Sequence, residues 1–229
     1  MSLKKFKTGS NMYDWISHGI CHLGGECSHH CQYCYVDNAR FGRAEKFTGP
    51  IKLIESEFKI NFGEGKTIFV EYQNDLFAKD VPVEWIRRVI NHCNEWPKNT
   101  YVFQSKNPAR FTEVDLPPNS ILGCTIETNR IINGISEAPI PEERYLAMKK
   151  LSKGTKTFLT LEPILQFDVD ILAKWIYEIN PTFLNLGADS KSHNLPEPTV
   201  SDIMALVAKL KEYGIDLREK HNLQRLMPK

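Results

Sequence analysis

The sequence predicts an α/β fold: a partial (βα)6 barrel of the TIM type, left open, with a cysteine-bearing loop after its first strand. Three observations lead there. Short apolar runs alternate with segments of helical spacing, which implies a parallel sheet covered by helices. Right-handed crossovers would curl such a sheet into an arc. The length of 229 residues falls about two units short of an eight-unit barrel, which typically takes about 250 residues. A doubly wound sheet is the alternative, because local pattern does not give strand order.

The elements follow in order. Residues 15–23 read as the first strand and lead into the cysteine-rich loop. Residues 50–62 place Ile51, Ile54, Phe58 and Phe62 at helical spacing. Residues 67–71 form the second strand, and 82–94 a helix with Pro82 in its first turn. The third strand is 100–104, followed by a short helix over 107–111. The fourth strand is 121–126, and a longer loop precedes a helix over 142–151 that Gly154 ends. Then come a strand at 157–161, a helix at 168–179, a strand at 182–187 and a helix at 199–213. The whole chain, 1–229, reads as one domain with an N-terminal extension (1–14) and a C-terminal tail (215–229) that adds a short strand and then coil.

A hydrophobic content of 41% supports one sizeable core. The net charge of +1 provides no global field to attract nucleic acid or an anionic membrane. No apolar run reaches the length of a membrane span. The Lys-rich residues 1–8 lack the apolar stretch and cleavage site of a secretory signal. Of the six cysteines, Cys21, Cys27, Cys31 and Cys34 cluster, while Cys93 and Cys124 stand apart. Clustering in a chain without a signal peptide favours a metal site in a reducing cytoplasm. Cys93, in a helix, and Cys124, in a strand, read as small buried hydrophobes.

The loop runs Gly24-Gly25-Glu26-Cys27-Ser28-His29-His30-Cys31-Gln32-Tyr33-Cys34-Tyr35. Three thiolates leave one iron of a [4Fe–4S] cluster without a protein ligand. Three close cysteines also suit structural zinc with a fourth ligand among His18, Cys21, His22, His29 or His30, in a non-catalytic interaction module. With Cys21 as fourth ligand they would suit an iron–sulfur electron carrier. Haem attachment is excluded because Tyr35, not histidine, follows Cys34. His29 and His30 read as solvated or supporting groups.

The C-x3-C-x2-C spacing, with Tyr33 just before the third cysteine and a predicted strand before the loop, resembles the signature of the radical S-adenosylmethionine (SAM) superfamily. The resemblance implies a [4Fe–4S] cluster on Cys27, Cys31 and Cys34, with SAM chelating the open iron. It implies reductive cleavage of SAM to a 5′-deoxyadenosyl radical that abstracts hydrogen from a substrate. It implies an external one-electron reductant of the flavodoxin or ferredoxin type. It places Tyr33 beside the adenine. At the second strand end, Tyr72, Asn74 and Asp75 become acceptors for the SAM ammonium, although an Asx turn explains Asn74 and Asp75 as well.

Other strand ends carry further candidates. Lys106, at the start of a short helix, suits the SAM carboxylate or an anionic substrate. Thr125, Glu127 and Asn129 share one side of an extended chain, where Thr125 and Glu127 would meet the ribose. Arg130 suits a carboxylate or phosphate. Glu162, followed by Pro163, is a pocket residue for SAM or substrate. Glu162, Lys106 and Arg130 are the catalytic candidates. Asn185 and Gly187 end the sixth strand. Arg218, Lys220, His221 and Arg225 would join Lys106 and Arg130 in a basic rim suited to a phosphate-bearing or nucleic-acid substrate. A solvated basic tail is the favoured reading of the same residues.

A narrower resemblance rests on 24–35, Asn74-Asp75-Leu76-Phe77 with Asp80-Val81-Pro82, 103–108, 122–129 and Leu161-Glu162-Pro163. Together these look like a radical SAM group common in phages and bacteria, over roughly 15–222. The chain departs from that group at Gln104, where a small hydroxyl residue is more usual. It departs again at Gly187-Ala188-Asp189, in place of glycine-glycine-glutamate. The substrate implied is unidentified: a nucleotide, a nucleic-acid base or a peptide.

Overall fold

A computed structural model describes residues 2–7, 12–36, 44–191 and 193–227. Residues 1 and 8–11 of the predicted extension and 228–229 of the tail lie outside the described residues. The elements in chain order are β1 (Lys4–Lys5), β2 (His18–Ile20), β3 (Leu23–Gly24), β4 (Lys52–Leu53), β5 (Thr67–Val70) and α1 (Val83–Asn94). Next come β6 (Thr100–Ser105), β7 (Ser120–Thr125), α2 (Pro141–Leu151), β8 (Thr157–Leu161) and α3 (Val169–Ile179). The last are β9 (Phe183–Leu186), α4 (Val200–Glu212) and β10 (Leu217–Glu219).

One mixed sheet of eight strands takes the order β1-β2-β5-β6-β7-β8-β9-β10. Only β1 runs antiparallel to its neighbour; every other pairing in this sheet is parallel. Strand order follows chain order without reversal, so the doubly wound alternative, which needs a switch point, is not what the chain adopts. The strands' carboxyl ends share one edge, as parallel pairing requires. There the cysteine loop and the polar strand-end residues meet.

Side chains alternate between two faces of each strand. Ile68, Val70, Tyr101, Phe103, Leu122, Cys124, Leu159, Leu161, Leu184 and Leu186 join one core with α1, α3 and α4. Phe69, Val102, Phe158 and Phe183 point the other way and pack on Tyr13, Trp15 and Ile16. The extension therefore supplies a plug for the second face. Gly123 is the position in β7 that makes room for it: a Cβ there would lie 2.1 Å from the Phe158 ring.

Four predicted elements change. The strand over 15–23 is two, β2 and β3, broken at Cys21-His22, where the buried Glu71 carboxylate replaces ladder partners. It accepts from the backbone N–H of His22 at 2.6 Å and of Leu23 at 3.1 Å. The helix over 50–62 is absent. Lys52 and Leu53 pair with β3 as β4 instead, and a single 3-10 turn at Glu57–Lys59 follows. Of the four residues at helical spacing, Phe62 enters the core and Ile51 and Phe58 pack partly buried against it, so the spacing marked the apolar side without the helix. The tail is not strand and coil alone: β10 pairs in parallel with β9, and a 3-10 helix spans His221–Leu226. The short helix predicted at 107–111 is a 3-10 helix over Pro108–Glu113.

Candidate functional site

The cysteine loop begins where Gly25 adopts φ +80° against Pro50, whose carbonyl oxygen would lie 2.1 Å from any Cβ; glycine is required there. Two residues at the end of β5 hold the loop down. Asn74 donates from Nδ2 to the Gly25 carbonyl at 3.2 Å. Asp75 meets His29 Nε2 at 2.9 Å. Asp75 also accepts from the Ser105 hydroxyl (3.0 Å), the Lys106 N–H (2.9 Å) and the Phe77 N–H (2.9 Å). Burial opposes its charge, but these donors and the His29 ring hold its carboxyl below the usual range. Asn74 and Asp75, expected to receive an ammonium group, are thus engaged in clamping the loop to β5 and β6.

The far side of the loop rests on residues 135–137. Gln32 N–H donates to the Ile135 carbonyl (2.9 Å) and Glu137 N–H to that of His29 (2.7 Å). The Cys31 thiol lies 3.3 Å from the Ser136 hydroxyl. None of the six cysteines is in a disulfide. Cys27, Cys31 and Cys34 are half-buried, whereas Cys21, Cys93 and Cys124 are buried. Burial and the nearby Asp75 push the Cys27 thiol up to about 12. Among the described residues no three His, Cys, Asp or Glu side chains converge on one metal position. Nevertheless the loop suits an iron–sulfur cluster by its chemistry. It offers three soft thiol donors, and the Ser28 hydroxyl and His29 Nδ1 between the first two are buried without a partner among the described residues. Orphaned polar atoms in a native fold call for a partner, an ordered water or a bound group.

Of the candidates for a fourth ligand in the zinc and electron-carrier alternatives, His18 and His22 are engaged and Cys21 is buried, while His30 is exposed and His29 keeps Nδ1 unpartnered among the described residues. His22 Nδ1 meets Glu71 at 3.0 Å and its Nε2 meets His92 Nδ1 at 2.9 Å. His18 Nδ1 lies 2.9 Å from the Ser17 hydroxyl. Cys21 is buried, its thiol pushed up by desolvation. His30 takes a left-handed backbone, φ 40°, and its side chain is exposed.

Next to the loop stands a buried charge cluster. Glu127 accepts from the Tyr33 hydroxyl and from Arg144 Nη1 at 2.7 Å. Arg144, on α2, also donates to the Thr125 carbonyl at 3.0 Å. The Lys106 ammonium lies 5.2 Å over the Tyr33 ring. Burial opposes its charge, yet Cys31 and Glu127 outweigh that and hold Lys106 above the ordinary lysine range. Likewise Arg144 and Lys106 overcome burial to keep Glu127 ionised. The two cations thus face Glu127, with Cys31 and Asp75 close to Lys106. Arg144 had no signature in the sequence, because a basic residue in a helix reads as solvated until burial is known.

Below this cluster the inner sheet face carries a polar layer. Tyr13 bridges Gln104 Oε1 (3.1 Å) and the Thr160 hydroxyl (2.9 Å). Gln104 Nε2 donates to the Thr125 hydroxyl at 2.9 Å, and Asn185 Nδ2 lies 3.4 Å from Thr160. Glu162 pairs with Lys220 at 2.7 Å and accepts from Asn222 Nδ2 at 2.7 Å. Of the tail's basic residues, Lys220 reaches the layer, while Arg218 pairs with Asp216 and Arg225 with Glu197.

Two candidates stand apart. Arg130 pairs with Asp168 at 2.6 Å on an exposed edge, with Asn129 donating to the same carboxylate at 2.9 Å, so the carboxylate beside its guanidinium is the chain's own. Tyr72 turns its ring edge-on to Phe6, 5.2 Å away, and offers the loop only its carbonyl, which accepts from the Tyr35 hydroxyl.

No helix among the described residues is long and apolar enough to cross a membrane. A search of curated proteins returns no match. Solved structures share the fold. A mutant of spore photoproduct lyase aligns with a TM-score of 0.64 at 12% identity, covering 95% of this chain and 80% of that one. Another, with bound AdoMet and dinucleoside spore photoproduct, gives 0.57 at 15% identity, covering 93% and 65%. SuiB of Streptococcus suis bound to S-adenosylmethionine gives 0.57 at 9% identity, covering 90% of this chain and 51% of that one. The model of a family described as a protein of unknown function, DUF5131, matches residues 18–177, and the chain belongs to that family.

Proposed function

We propose that this chain is a radical SAM enzyme of the kind common in phages and bacteria, working in the cytoplasm on an open (βα)6 partial barrel. The observation that carries the reading is the three-cysteine loop pinned at the carboxyl edge of a parallel sheet, beside a buried Lys106–Glu127–Arg144 cluster. The two solved relatives are both radical SAM enzymes. Cys27, Cys31 and Cys34 would hold a [4Fe–4S] cluster and leave one iron for SAM. The chemistry such a cluster supplies is one-electron cleavage of SAM, giving a 5′-deoxyadenosyl radical that takes hydrogen from substrate. A flavodoxin- or ferredoxin-type protein would supply the electron.

The chain's own residues bind and orient. Lys106 and Arg144 provide the positive field for a carboxylate, with Glu127 keeping the net charge low. Glu127 also fixes the Tyr33 ring, which stands where an adenine would pack. Thr125 and the polar layer down to Tyr13 would line the substrate side, with the Lys220–Glu162 pair at one end. Asn74 and Asp75 serve through the loop they clamp. The substrate remains within the classes read from the sequence: a nucleotide, a nucleic acid or a peptide. One solved relative carries a dinucleoside photoproduct, and SuiB is also seen with its precursor peptide.

The test is anaerobic reconstitution followed by SAM and dithionite. The reading expects about four iron and four sulfide per chain and formation of 5′-deoxyadenosine. One zinc and no iron would replace it with an interaction module. A cluster lost in Cys21→Ala and spectroscopically blind to SAM would replace it with an electron carrier.

A further inference from the structure

The loop after β9 holds a histidine that nothing above uses. His193 Nδ1 lies 2.6 Å from Asp189 Oδ1, and its backbone N–H donates to Asp189 Oδ2, also at 2.6 Å. Lys191 N–H adds a third bond to this carboxylate at 3.0 Å. Burial opposes ionisation of Asp189, but these donors prevail and hold it below the ordinary range. An ionised carboxylate only accepts, so the His193 hydrogen sits on Nδ1. Nε2 then carries the lone pair. That atom is buried and has no partner among the described residues, and the side chain is 10% exposed.

Its surroundings place it at the site. Gln32, between Cys31 and Tyr33, donates from Nε2 to the His193 carbonyl at 3.3 Å. Leu195 packs with Tyr33, Ile135 and Leu165. Asn222, which binds Glu162, also donates to the Ala188 carbonyl at 2.8 Å. The loop therefore bridges the cysteine segment and the Glu162–Lys220 pair.

We propose that Asp189 and His193 form a general-base pair for the substrate, with Nε2 presented to one of its hydroxyl or amine groups. The O–H or N–H bond breaks, its electron pair stays on oxygen or nitrogen, and the proton moves to Nε2. Asp189 offsets the resulting imidazolium charge. The same proton returns to product or solvent, so no oxidant or reductant is needed. This inference rests on the substrate lying beside the cysteine loop, as the proposed function has it.

The test uses the intact chain and diethyl pyrocarbonate, with modified histidines mapped by mass spectrometry. His22 and His92 are internal controls, since both ring nitrogens of each are engaged. His193 should react at least about tenfold faster than either: its buried Nε2 needs only the loop after β9 to move, whereas the controls must also break hydrogen bonds at both ring nitrogens. Nitrogen-15 spectra should show the neutral His193 ring protonated on Nδ1, and Asp189→Asn should abolish that preference. Equal reactivity of the three histidines, or a ring protonated on Nε2 in the unmodified chain, overturns the proposal. The spectra need no variant, so a misfolded Asp189→Asn does not spare it. Failure to form 5′-deoxyadenosine would strike the radical SAM reading and leave these two measurements standing.

Discussion

The Asp75 carboxylate sits 2.9 Å from His29 Nε2, tying the middle of the cysteine loop to the ends of β5 and β6. The same oxygen takes the Ser105 hydroxyl and the Lys106 N–H. One carboxylate thus sets the distance between the thiols and the Lys106 side chain. Asp75→Ala leaves these donors buried without an acceptor, at about 1–3 kcal/mol each. Chemical denaturation should show a loss of about 2–4 kcal/mol, and iron bound per chain after reconstitution should fall. Unchanged loading in a destabilised variant would mean the clamp serves the fold alone.

A second carboxylate does comparable work on the opposite side. Glu71 has φ 59°, a costly backbone for a non-glycine residue, and its side chain caps the break between β2 and β3. The Ile60 carbonyl only accepts, so His92 Nε2, 3.1 Å away, carries a hydrogen. Burial and the neighbouring His22 hold His92 below the ordinary range and keep it neutral. His92 Nδ1 is then the acceptor and His22 Nε2 the donor. Glu71→Ala strips acceptors from two backbone amides and the ring, and should cost at least about 3 kcal/mol in urea denaturation. Glu71→Gln, which keeps an acceptor oxygen, should cost less.

Packing on the inner face gives a third expectation. Gly123→Ala drives a methyl into the Phe158 ring, which is stacked 5.2 Å from Phe183 and edge-on to Trp15 at 5.6 Å. Overpacking of this kind costs about 1–3 kcal/mol. The midpoint of thermal unfolding should drop, and Phe158→Leu in the same chain should recover part of it. No drop would mean that the plug moves freely.

The Arg130–Asp168 pair gives a pH signature. Hydrogen bonds from Arg130 and Asn129 hold the Asp168 carboxyl at about 2, below its ordinary 3.8. A depressed carboxyl adds stability above its ordinary value and loses it as pH falls from about 4 toward 2. Thermal midpoints measured across that window should fall less steeply in Arg130→Gln than in the parent. The effect is small because both side chains are exposed.

The parallel sheet and the cysteine loop were legible because each rests on local information: alternation along a strand, or three thiols in eight residues. Helix α1 announced itself through Pro82 and its apolar stripe. The segment 50–62 misled because Ile51, Ile54, Phe58 and Phe62 carry helical spacing, while its course was decided by a partner, β3, remote in sequence. Arg144 and the Asp189–His193 pair were invisible for a related reason. Burial and a fixed ring orientation come from the sheet's curvature and the loops above it, not from the neighbours in sequence. Asp75 was seen at the right place with a different partner, since composition gives an acceptor but not the donor that reaches it first.

Lys220 stands 5.1 Å over the Tyr13 ring while binding Glu162. Lys220 directly follows β10, the last strand in the sheet order, so fraying of that edge strand from β9 would carry away the cationic partner of Glu162 and uncover one side of the Tyr13 ring.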